Sequence, residues 1–134
     1  GDVLSGRQIL VAEDNELNSE ILMELLEMAG AACEVTKNGQ EVLERFAQSA
    51  PGRYDLILMD VQMPVMNGYE ATKAIRACGH PQARTIPIIA MTANAFAEDI
   101  KEALDAGMDQ HVSKPVDMER LKQAVRVVIS QEKE

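Results

Sequence analysis

The sequence predicts an α/β fold, a five-stranded parallel sheet with helices covering both faces. Three observations point there. Short apolar runs alternate with stretches of helical periodicity five times over. Each interval between runs is long enough for a helical crossover, which is what joins parallel neighbours. The whole pattern fits into 134 residues, room for one domain and too little for two ordinary ones.

Ile9-Leu10-Val11-Ala12 is a continuous apolar run, as expected of a strand buried on both faces. Leu17, Ile21, Leu25 and Met28 then recur at helical spacing, with Gly30 as the stop. Residues 31–35 read as a weaker second strand. Asn38 and Glu41 have the spacing of a capping box, opening a helix through Val42, Leu43 and Phe46 that Pro51-Gly52 breaks. Leu56 to Met59 form the third strand, ending at Asp60. Asn67 and Glu70 repeat the cap for a helix to about Ala77, and a loop runs to Thr85. Residues 86–91 are the fourth strand, with Pro87 tolerated at its start. Phe96, Ile100 and Leu104 mark a fourth helix that ends before Gly107. A short strand around His111-Val112-Ser113 follows, and Met118, Leu121, Val125 and Val128 are the stripe of a last helix. Five such units favour the doubly wound, flavodoxin-like order 2-1-3-4-5. A (βα)8 barrel needs roughly 250 residues and is excluded. Residues 7–130 are expected to be the domain, 1–6 a linker and 131–134 a polar tail.

The formal net charge of −9 argues against nucleic acid as a direct partner, since phosphate binding needs a clustered basic face. No apolar run exceeds four residues, so no membrane contact is expected of this segment. Gly1 to Gly6 show neither an initiator Met nor the apolar core of a signal peptide, the pattern expected of a piece of a longer protein. Cys33 and Cys78 lie far apart without a CxxC motif, which speaks against a sulfur metal site and for a reducing, cytoplasmic setting. With two Phe, two Tyr and no Trp, the core must be aliphatic, with Met filling gaps.

Open α/β sheets bind ligands beyond the carboxyl ends of their strands, where the strand order reverses. The residues that directly follow the strands are Glu13, Asp14 and Asn15, then Asp60, then Thr92, then Lys114 and Pro115. The reversal lies between strands one and three, so Glu13, Asp14 and Asp60 should share one crevice with Thr92 and Lys114 on its rim. Three adjacent carboxylates repel one another unless a cation sits among them. A set of oxygen ligands without His or Cys suits Mg²⁺. Asp14 and Asn15 could instead serve only as caps for the first helix. The Lys114–Pro115 peptide is a candidate for the cis form, which would turn the lysine back toward the pocket. A lysine and a hydroxyl facing a metal-bound carboxylate suit an incoming phosphoryl group, with Asp60 as its acceptor.

The strings Val11-Ala12-Glu13-Asp14-Asn15, Leu58-Met59-Asp60-Val61-Gln62-Met63-Pro64, Asn67-Gly68, Met91-Thr92-Ala93 and Ser113-Lys114-Pro115 resemble the response-regulator receiver domains of two-component signalling. The spacings agree as well: 46 residues from Asp14 to Asp60, 32 on to Thr92 and 22 on to Lys114. The wording Glu13-Asp14-Asn15-Glu16-Leu17-Asn18, Met63 to Thr72 and Met91 to Ala95 is similar to receivers attached to hybrid sensor histidine kinases. The resemblance implies that Asp60 is phosphorylated and that Asp14, Asp60 and the backbone carbonyl of Gln62 ligate Mg²⁺, with Glu13 holding it through water. It implies Thr92 as the switch hydroxyl and Lys114 as partner of the phosphoryl group. At the position three before the lysine the family usually has Tyr or Phe; this chain has His111, which brings a titratable group to the switch.

The expected reaction is transfer from a phosphohistidine of a histidine kinase or histidine-phosphotransfer domain to Asp60. His80 and His111 are not on helices, so the donor is external. The first helix, through Leu17, Ile21, Leu22, Leu25 and Leu26, is the expected docking face. The fourth helix, last strand and final helix are the expected read-out. A free-standing single-domain regulator and a scaffold that does without phosphorylation are the alternatives. A phosphohydrolase of the haloacid dehalogenase type would need an acid two residues after the nucleophile, where Gln62 stands, so a turnover enzyme is not expected. A flavin carrier would need a phosphate loop where Glu13 and Asp14 stand.

Overall fold

The computed structural model describes residues 3–93 and 97–132. Its elements alternate in chain order: β1 (Gln8–Ala12), α1 (Glu16–Met28), β2 (Ala32–Thr36), α2 (Gly39–Ala47), β3 (Leu56–Asp60), α3 (Gly68–Ala77), β4 (Ile88–Thr92), α4 (Ala97–Ala106), β5 (Gln110–Ser113) and α5 (Met118–Glu132). All strand pairs are parallel and the sheet order is β2-β1-β3-β4-β5, as the alternation predicts.

Successive strand residues point to opposite faces, so each strand feeds two cores. Ile9, Val11, Leu58 and Ile89 pack with Leu22 and Leu26 of α1 and with Leu121, Val125 and Val128 of α5. Leu10, Ala12, Ile57 and Met59 pack on the other face with Val42 and Phe46 of α2, Ala71 and Ile75 of α3, and Ala103 of α4. The helix starts follow the chemistry of their caps. Asn15, Asn38 and Asn67 each accept from the backbone N–H three residues on, at 2.9, 2.8 and 2.9 Å. Only Asn67 and Glu70 complete the reciprocal box; for α2 the structure shows the Asn38 half.

Several sequence expectations are corrected. β2 begins one residue later than predicted, at Ala32, and β4 two residues later, at Ile88, since Pro87 has no N–H for the ladder. α5 runs to Glu132, into the segment read as a tail. Residues 3–6, read as linker, form a turn tied down by Gly6 N–H to the Gly30 carbonyl (2.9 Å), and Leu4 is completely buried in the α1–α5 core. Most of the periodic stripe that marks α1 in the sequence faces away from the sheet. Leu17, Ile21 and Met28 are 64%, 49% and 79% exposed, while Ser19, Leu22 and Leu26 are buried. The small Ser19, its hydroxyl donating to the Glu16 carbonyl at 2.8 Å, lets that side approach the sheet. In α4, Leu104 is likewise exposed, and Phe96, expected at the start of that helix, lies outside the described residues.

Candidate functional site

The carboxyl ends of β1, β3 and β4 and the loop after β5 converge on one pocket. Glu13 directly follows β1, where its N–H donates to the Thr36 carbonyl at 3.0 Å, so it is held between β1 and β2 and is buried. Asp14 is exposed at the pocket mouth. The capping role falls to Asn15, which leaves the Asp14 carboxylate to the pocket. Asp60 ends β3 and is buried, and Thr92 ends β4 and is also buried. One oxygen from each of Glu13, Asp14 and Asp60 lies within 4.8 Å of the others.

Lys114 reaches this cluster across a cis peptide to Pro115. Its Nζ lies 2.8 Å from Asp60 Oδ2 and 2.9 Å from Glu13 Oε2. Of the remaining oxygens, Glu13 Oε1 accepts from the Asn15 N–H at 3.1 Å and Asp60 Oδ1 from the Gln62 N–H at 3.3 Å. One ammonium faces three carboxylates, and the electrostatics record the shortfall. Burial, helped by the neighbouring Glu13 charge, pushes the Asp60 carboxyl up to about 6 even though Lys114 works against it. Burial weakens the Lys114 ammonium, but Asp60 and Glu13 outweigh burial and raise its pKa. The residual negative charge is a demand for a further cation. The donor set, all oxygen, fits a hard divalent ion.

The loop from β3 to α3 is shaped by close approach. A Cβ on Gly68 would sit 2.3 Å from the Asp60 carbonyl oxygen, so only glycine lets α3 start this near the pocket. A Cβ on Gly39 would meet the Met66 carbonyl oxygen at 2.3 Å, so the same loop is pinned to α2 as well. Between them Val65 holds a left-handed φ of 69°, a conformation β-branched residues rarely adopt, with its side chain 81% exposed.

The remaining predicted residues fall around the pocket. Register pairs Thr92 with Ser113 and Ala90 with His111, placing His111 diagonal to Thr92 and half-buried on the α3–α4 face of the sheet. Beside the pocket, a groove of about 330 Å³ is lined by Ile21, Leu22, Leu25, Pro115 and Val116, and Glu13 and Lys114 open into it. Of the α1 residues expected to dock a partner, Leu17 and Ile21 are exposed and Leu25 half-exposed, whereas Leu22 and Leu26 are buried in the core. Sequence reading missed the buried His80. Its Nδ1 accepts from the Gln82 N–H at 3.0 Å, and its ring lies 4.3 Å from Phe46.

Known proteins share this arrangement. The family model for the response regulator receiver domain matches residues 9–126. This chain belongs to that family. It is a receiver domain of two-component signalling. Among curated relatives, the receiver is 35% identical over 148 residues to probable histidine kinase 1 of Oryza sativa subsp. indica, covering 89% of this chain and 15% of that protein. It is 37% identical over 131 residues to hybrid signal transduction histidine kinase I of Dictyostelium discoideum, covering 96% of this chain and 8% of that protein. The receiver thus spans under a sixth of the length of these relatives. Among solved structures, it superposes with TM-score 0.82 and 35% identity on the receiver of sensor histidine kinase PA1611 from Pseudomonas aeruginosa, over 94% of this chain and 99% of that one. That structure has a magnesium ion coordinated in its active-site cleft. The receiver of Ssk1 from Saccharomyces cerevisiae, solved in complex with the histidine phosphotransfer protein Ypd1, matches with TM-score 0.76 and 30% identity over 89% and 86% of the two chains. Among the described residues, no helix is long and apolar enough to cross a membrane.

Proposed function

We propose that Asp60 takes a phosphoryl group from a phosphohistidine of a partner and that the receiver relays the signal by changing conformation. The observation that carries this reading is the Lys114 ammonium bridging Asp60 and Glu13 in a pocket that still has excess negative charge. Glu13, Asp14, Asp60 and the Gln62 carbonyl are the groups that would hold Mg²⁺. When bound, Mg²⁺ supplies positive charge between the carboxylates and the incoming phosphoryl oxygens.

The chain's own residues account for the rest. An Asp60 oxygen attacks phosphorus as the P–N bond to the partner's imidazole breaks, and that imidazole leaves with the bonding pair and then takes up a proton. Lys114, held within 3 Å of Asp60, would neutralise phosphoryl oxygens as they arrive. Thr92, at the end of the adjoining strand, would hydrogen-bond one of them. Gln62 cannot transfer a proton to or from water, so the acyl phosphate should hydrolyse slowly and the domain should not turn over as an enzyme.

The exposed Leu17 and Ile21 and the apolar groove beside Lys114 form the surface that would receive a histidine kinase or histidine-phosphotransfer domain. α4, β5 and α5 would carry the read-out, with His111 beside Thr92 in the switch. The similarity to kinases of which the receiver is a small part supports an origin in a hybrid sensor histidine kinase. Two free thiols, Cys33 and Cys78, fit a cytoplasmic location. Intact mass after incubation with acetyl phosphate and Mg²⁺ tests the acceptor: one phosphoryl group gained by the native chain and none by Asp60→Asn is the expected result.

A further inference from the structure

A cavity of about 440 Å³ lies next to the acidic pocket, under the first turn of α4. Gln62, Asn67, Tyr69, Thr92, Asp99 and Glu102 line it, so the end of β4, the start of α3 and α4 all face one space. Tyr69 spans that space. Its ring leaves α3 one residue after Gly68, and its hydroxyl donates to the Asp99 carbonyl at 3.4 Å, in the first turn of α4. A contact this long is a weak tie. The phenol keeps its proton, because burial first, and then the Glu102 and Asp99 charges, raise its pKa. Only the protonated phenol can make this bond.

We propose that Tyr69 is a positioning residue that clamps the first turn of α4 over the cavity and releases it when Thr92 is drawn toward a phosphorylated Asp60. The proposal rests on the phosphoacceptor reading for its trigger but not for the clamp itself. Thr92 shares the cavity wall with Tyr69, so a shift of the β4 end changes the room available to the ring. The weakness of the Tyr69–Asp99 tie allows it to open without disturbing α3, whose start is fixed by its capping box and by Gly68.

Tyr69→Phe removes the hydroxyl and keeps the ring. In unphosphorylated protein, hydrogen exchange across α4 is expected to be about fivefold faster in Tyr69→Phe than in the native chain. Acetyl phosphate should speed α4 exchange in the native chain, and add nothing further in Tyr69→Phe, while both acquire the phosphoryl group at the same rate. Equal α4 exchange in the two unphosphorylated chains would overturn the clamp, and an equal further increase in both on phosphorylation would overturn the coupling. A native chain that gains no mass defeats the phosphoacceptor reading and the coupling with it, and the unphosphorylated comparison still decides the clamp. The chain has two tyrosines and no tryptophan, so Tyr54→Phe leaves Tyr69 as its only strong fluorophore. Its emission should change on phosphorylation, and an unchanged signal in a chain shown by mass to be phosphorylated again contradicts the coupling.

Discussion

At the two ends of the same sheet a cation meets acid in opposite proportion. At the amino ends of β4 and β5, Arg76 donates to the carbonyls of Gly107, Ala83 and Ile86 and pairs with Asp109 at 3.0 Å. Asp109 in turn accepts from the Ile88 N–H at 2.8 Å, so one cation, one carboxylate and the surrounding backbone satisfy each other. Burial pulls the guanidinium pKa down and Asp109 partly restores it. At the carboxyl ends, one lysine, Lys114, serves a cluster of three carboxylates, and burial pushes the Asp60 carboxyl up to about 6. The balanced cluster ties the segment before β4 to the segment before β5. The unbalanced one stores a repulsion that a ligand can relieve, and this contrast marks it as the functional end.

The largest expected effect on stability comes from breaking the balanced end. Arg76→Ala leaves three carbonyls without their side-chain donor and the Asp109 carboxylate with the Ile88 N–H but no cation, and should cost about 3–5 kcal/mol in urea unfolding. A loss below about 1 kcal/mol would mean that water replaces the guanidinium and that it does not tie this end together.

At the unbalanced end, removing charge should have the opposite sign. Folded Asp60 binds its proton up to about pH 6, against 3.8 for an ordinary aspartate. Metal-free protein therefore loses stability from this group as pH rises through that window, and the loss is complete above it, at most roughly 3 kcal/mol. In EDTA, Asp60→Asn should raise the melting temperature near neutral pH and make little difference below about pH 4. If Asp60→Asn instead destabilises the metal-free chain near neutral pH, Lys114 already balances the pocket. The same repulsion predicts that Mg²⁺ raises the melting temperature of the native chain more than that of Asp60→Asn, read by thermal scans with and without the ion.

The smallest effect is local. Val65→Gly should relieve the left-handed φ of 69° and stabilise the chain by about 1 kcal/mol, with acceptor chemistry intact. No gain on thermal unfolding would show that the loop tolerates valine without strain.

The unbalanced end was far more legible in the sequence than the balanced one. Glu13, Asp14 and Asp60 directly follow apolar runs, and a buried parallel strand that ends in a carboxylate has few structural excuses, so topology alone brings them together. Arg76 gave no such signal. It sits in the last turn of α3, a common place for a solvated arginine, and all its partners but Asp109 are backbone carbonyls that carry no sequence mark. The sheet-facing side of α1 was not legible, because Leu17-Ile21-Leu25-Met28 and Ser19-Leu22-Leu26 both have helical period, and periodicity does not say which face meets the sheet. Leu4 escaped because one buried side chain in a turn has no period at all.

The most direct test of the central claim is intact mass after acetyl phosphate and Mg²⁺. A gain of one phosphoryl group that is lost in Asp60→Asn and kept in Arg76→Met places the chemistry at the unbalanced end. No gain in the native chain, or a gain that survives Asp60→Asn, would contradict it.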